Sequence, residues 1–148
     1  MRGLNVPYHF LDDIATADIA FEAWGETAEE MFVAAAEATM NVMVSDLSTI
    51  ADQEKRTLKV ESDTMEMLLF ELLQELIFFK DADLLLLRVP RVGIDRRDDH
   101  FTLSGEAYGE KIDPQKHDLV VDVKAVTLHR YRVEQTSRGW EAMVILDI

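Results

Sequence analysis

The chain has no cysteine. Thiolate zinc sites, cysteine nucleophiles and a disulfide framework are therefore excluded, and the redox compartment stays undetermined. No apolar run approaches the ~20 residues of a membrane-spanning helix. Residues 1–15 lack a basic segment followed by an apolar one, so no secretory leader is expected and the cytoplasm is the expected location. Positive charge is scarce: 15 Lys and Arg stand against 29 Asp and Glu, a net charge of −14. Such a surface repels phosphate backbones, so direct tight nucleic-acid binding is not expected. It suits hard cations and basic protein surfaces, or simply keeps the chain in solution.

Common catalytic signatures are missing too. Between Gly105 and Lys111 the glycines stand one residue too close for a phosphate-binding loop, and no Ser or Thr follows the lysine. Ser104-Gly105 lacks the preceding glycine of a nucleophile elbow. His9, His100 and His129 fit no paired-histidine metal spacing, and no Ser-His-acid triad can be picked out.

What is present reads as one domain. A chain of 148 residues can bury roughly 70% of its unfolded surface without staples. Tyr8 to Leu11 and Ile19 to Trp24 alternate as strands. Thr27 and Glu30 form a capping box, predicting a helix to about Val44 whose many alanines suit close packing on a sheet. Ser45 to Gln53 reads as a loop and Lys55 to Ser62 as a strand. Asp63, with Glu66 three residues on, is expected to cap a second helix. Its stripe of Leu68, Leu69, Leu72, Leu73, Leu76 and Phe79/Lys80 repeats at three and four. Leu84 to Val89 and Phe101 to Tyr108 read as strands, with the charged connection from Ile94 to His100 as a solvated turn. Gly109 and Pro114 suggest a turn, since glycine permits a φ that other residues resist. A long alternating strand is expected from about Leu119 to Val133, and a last one from Trp140 to Leu146. Strands that do not alternate with helices predict an α+β fold: a single two-layer domain over residues 1–148, two helices packed on a mainly antiparallel sheet.

Few residues could carry chemistry. Asp147 and the carboxylate of Ile148 stand within one residue of each other and repel unless a cation or donors intervene. Asp18 begins a strand that could lie beside the last one. Those three carboxylates would make an all-oxygen site suited to calcium or magnesium and not to zinc; the competing reading is a frayed, solvated C-terminus. His117 could be a ligand, a general base or a plain turn residue. Lys124 shares its strand face with Val126 and Leu128 and needs a carboxylate or other partner there.

Four segments in order, FLDDIATADIAFEAWGET (10–27), LLFELLQELIFF (68–79), GEKIDPQKHDLVVDVKAVTLHRYRV (109–133) and WEAMVILDI (140–148), together resemble the archease family. The second is generic. Ile112-Asp113, Lys116-His117, the run Val123 to Thr127, and Leu146-Asp147-Ile148 are specific. The resemblance implies an α+β protein that is not itself an enzyme. It would activate the RtcB-type RNA ligase, which joins a 3′-phosphate RNA end to a 5′-hydroxyl in tRNA splicing and RNA repair. Activation means promoting guanylylation of the ligase and its multiple turnover. The resemblance also implies a bound divalent metal, calcium, at Asp18, Asp147 and Ile148, with Lys124 and His117 as supporting residues of the activating surface. One departure stands out: Ala15 occupies the position where the family commonly has a histidine. The residues alone leave two rivals open, a metal-dependent phosphoesterase and a chaperone-like protein-binding module.

Overall fold

The computed structural model describes residues 6–11 and 18–148. Asp12, Asp13 and Ala15 lie outside the described residues. Among the described residues, eight strands and two α-helices follow one another as β1 (Tyr8–Leu11), β2 (Asp18–Gly25), α1 (Ala28–Met43), β3 (Glu54–Ser62), α2 (Met65–Asp83), β4 (Leu85–Arg88), β5 (Val92–Arg97), β6 (His100–Lys111), β7 (Ala125–Thr136) and β8 (Gly139–Asp147), with one 3-10 turn at Leu47–Thr49. Every strand pairing is antiparallel. The α+β expectation holds, with the strands divided between two sheets. One has the order β1-β2-β8-β7. In the other, β6 pairs with β3 along one edge and with β4 and β5 along the opposite edge.

The helices form where the pattern and caps direct them. Thr27 Oγ1 accepts the Glu30 N–H at 3.1 Å, which caps a first-turn donor of α1, and the Glu30 carboxylate accepts the Glu26 N–H at 3.0 Å, which ties the residue before the cap to the helix. The alanines of α1 are buried and let it lie close on β2 and β8. The second helix is capped by Thr64 and not by Asp63: Thr64 Oγ1 accepts the Met67 N–H at 3.1 Å. Its leucine stripe joins α1 in a core shared with both sheets.

Three further expectations are corrected. The charged segment after Pro90 is strand β5, in a hairpin with β6. Val92 and Ile94 pack against the core, and Asp98 takes the left-handed conformation (φ 53°) that the two-residue turn needs. Gly109 is not in a turn. It lies within β6, where an added Cβ would sit 1.7 Å from the Leu86 carbonyl oxygen. Its value is close backbone approach, not unusual φ.

The third correction concerns the long strand. Ladder pairing starts at Ala125, and between Thr127 and Arg132 a bulge interrupts it, with Arg130 at φ 54°. Thr127 pairs with Ile145, whereas Arg132 pairs with Met143. An odd-numbered residue opposes an odd one before the bulge, and an even one opposes an odd one after it. Inward-facing positions therefore change parity, and both Val126 and Val133 are buried. The Tyr131 hydroxyl donates to the Glu66 carbonyl at 2.7 Å and anchors the bulge on α2.

Candidate carboxylate site

The start of β2 and the end of β8 meet at one end of their ladder. Asp18 pairs with Asp147, Ile19 with Leu146 and Ala20 with Ile145. Directly opposed residues of an antiparallel ladder share a face, so the two carboxylates leave the sheet on the same side. Both residues are half-buried. Next to them on that face Ala20, Met143 and Ile145 form a small buried cluster with Leu11 packed against it. Ile148 packs its side chain on the main core, which holds the main chain beyond Asp147 in place. Neither Asp18 nor Asp147 has an ion-pair partner among the described residues. No set of three His, Asp or Glu side chains placed to hold a metal occurs among the described residues. A cation here would need its third protein oxygen from the main chain. The donor set is hard oxygen only, and in that respect it fits calcium or magnesium.

Lys124 stands immediately beside this pair. Its N–H donates to the Asp147 carbonyl at 2.8 Å, and Ala125 is the β7 partner of Asp147. Its side chain is exposed and lies ahead of the ladder, so it is not a cation on an apolar strand face. The buried cation that does need partners is Lys80, only 4% exposed. Its ammonium donates to the Val123 carbonyl at 2.8 Å and pairs with Asp81 at 2.5 Å and with Asp122. Burial pulls the Lys80 ammonium down, but the two carboxylates outweigh it and hold the group above its ordinary value. Lys80 thereby pins the extended segment that delivers Lys124 to Asp147. Its place on the apolar stripe of α2 was the available signal for this, since a lysine there must find a partner.

His117 is 2% exposed and closes its own turn. Nδ1 accepts the Asp113 N–H at 3.0 Å, so Nε2 carries the proton and donates to Glu110 at 2.8 Å. The same Glu110 oxygen accepts the Ala51 N–H at 2.9 Å and the Lys116 ammonium at 2.6 Å. The Ala51 amide first, then Lys116 and His117, hold the Glu110 carboxyl down at about 2. Both ring nitrogens of His117 are thus occupied inside the protein.

The Archease protein family (MTH1598/TM1083) matches residues 8–148. The chain belongs to the archease family. Among its archease relatives, the protein of Pyrococcus furiosus is 37% identical over 134 residues, which is 90% of this chain and 94% of that one. The protein archease of Methanosarcina barkeri is 35% identical over the full length of both chains. The solution structure of Methanobacterium thermoautotrophicum protein 1598 superposes with a TM-score of 0.82 at 36% identity, covering 96% of this chain and 99% of that chain. A Thermotoga maritima crystal structure, described as an archease and possible chaperone, shares the fold with a TM-score of 0.57 at 21% identity. No helix among the described residues of this archease is long and apolar enough to cross a membrane.

Proposed function

We propose that this archease activates an RtcB-type 3′-phosphate RNA ligase, promoting its guanylylation and multiple turnover in tRNA splicing or RNA repair. The reading rests on family membership together with one observation: Asp18 and Asp147 stand directly opposed, and among the described residues neither has an ion-pair partner. Asp18, Asp147 and the main-chain carboxylate of Ile148 would hold a divalent ion, calcium by the family resemblance. When bound, that ion supplies positive charge that offsets the three carboxylates and can bind phosphate oxygen.

The chain's own residues have separate tasks. The β2–β8 register keeps the two aspartates side by side, and the packing of Ile148 prevents the end of β8 from fraying away. Lys80 fixes the approach of residues 122–124, so the main chain of Lys124 lies against Asp147 and its side chain is left exposed to solvent. A cation placed there can contact an anionic group of the nucleotide or ligase in trans. His117 supports the surface by locking the turn that leads into this segment. The strong acidity of the protein suits a basic RNA-binding partner and disfavours competition for its RNA.

The test is ligation under limiting RtcB-type ligase with GTP, counted as joined ends per ligase. Asp147→Asn and Asp18→Asn should abolish stimulation while circular dichroism stays unchanged, and Lys124→Ala should reduce it. Full stimulation by Asp147→Asn would remove the carboxylate pair from the mechanism.

A further inference from the structure

β2 carries a second feature at the end away from Asp18. Six residues along the strand, roughly 20 Å away at strand rise, Trp24 borders a groove of about 860 Å³. Its other walls are the start of α1, the β4–β5 connection and the β7–β8 turn. Trp24 is 38% exposed, and its ring lies against His9 with centroids 5.3 Å apart. Directly opposite it in the ladder is Glu141, which puts a carboxylate beside the indole on the same face. Trp140, on the neighbouring register position, adds a half-buried ring.

Acidic side chains outnumber basic ones in the groove. Five glutamates and two arginines line it. Glu22 is taken up by His9 and Arg132, and the Glu30 carboxylate accepts the Glu26 N–H. Glu26, Glu29 and Glu141 have no ion-pair partner among the described residues, and the lining arginines, Arg91 and Arg138, form no ion pair with them. A partly hydrated indole beside spare carboxylates favours a guanidinium. The ring face attracts the cation, and a carboxylate accepts its forked N–H donors. An anionic guest is disfavoured by the acid excess of the walls and by the overall charge of −14.

We propose that this groove docks an arginine-bearing basic segment of the partner protein. The inference rests on the reading that the protein works on a basic partner. It gives that partner a hold on the far end of β2 from the carboxylate pair.

The protein has two tryptophans, and both line the groove, so intrinsic emission reports on it directly. Titration with acetyl-Arg-Gly-Arg-amide at low salt should give a saturable emission change that weakens as salt is added. The isosteric citrulline peptide, which lacks the charge, should give none. Glu29→Gln combined with Glu141→Gln should weaken the arginine peptide by about tenfold or more, with the thermal midpoint unchanged. No response to the arginine peptide overturns the proposal. So does an equal response to the citrulline peptide, undiminished affinity in the double variant, or the same response to spermine at equal concentration. Asp147→Asn should leave the titration unaltered. Absent peptide binding with intact ligase stimulation would therefore sink the docking site alone. Unimpaired stimulation by Asp147→Asn would sink the carboxylate mechanism alone.

Discussion

Changing Asp147 to Asn removes one of two like charges that the β2–β8 register sets face to face. Opposed residues of an antiparallel ladder hold their Cβ atoms about 5 Å apart. At that separation two unit charges repel by roughly 1 kcal/mol in water, and by ~3 kcal/mol at an effective dielectric of 20. Both residues are half-buried and retain water on one side, so the lower figure applies. In a chain of this length 1 kcal/mol corresponds to about 3 °C in Tm. Asp147→Asn should therefore melt about 3 °C above the natural protein in EDTA. In calcium the order should reverse. An ion at a hundred times its Kd stabilises the natural protein by ~2.7 kcal/mol, roughly 8 °C by the same conversion. The variant, with a carboxylate gone, should gain little. Scanning calorimetry in EDTA and in calcium measures both arms. A variant that melts below its parent in EDTA would show that the two charges do not burden the fold. An equal calcium gain in both proteins would show that Asp147 is not a ligand.

Two further outcomes test the surrounding structure. Gly109→Ala should destabilise by about 3 kcal/mol or more, because backbone atoms on both sides must part to admit the methyl; urea unfolding with an unchanged midpoint would contradict the close β4–β6 approach. Glu110 titrates at about 2 in the folded protein, below the ~4.3 expected when unfolded. Its contribution is therefore complete above about pH 4.3 and is lost as the pH falls towards 2. Glu110→Gln should flatten that acid limb, and parallel stability curves for the two proteins between pH 6 and 2 would refute the role.

Much of this fold is legible in the residues because the governing signals are local. The capping box at Thr27, the leucine stripe of α2 and the alternation of β8 each act within a turn or two of their own position. The carboxylate pair was approachable because Asp18 opens one strand and Asp147 closes another. What escaped depended on distant partners. β5 is an outer strand whose exposed positions carry charge, so its sequence resembles a turn until β6 is beside it. Gly109 looks like a turn glycine until the Leu86 carbonyl crosses it. The run from Leu119 to Val133 alternates without visible interruption, yet it contains an extended lead-in and a bulge that exchanges its faces. Lys80 stands on the apolar stripe, but its partners Asp122 and Val123 lie 42 and 43 residues further on.

Placement of β8 between β2 and β7 has a kinetic corollary. On the ribosome, the strand that fills the middle of this sheet is synthesised after both of its neighbours. Until it emerges, two unsatisfied strand edges must wait, and Asp18 has nothing opposite it. Acquisition of a cation by the acidic pair would consequently report that this sheet has closed. Nascent chains arrested before residue 139 should be open to mispairing and to capture by chaperones.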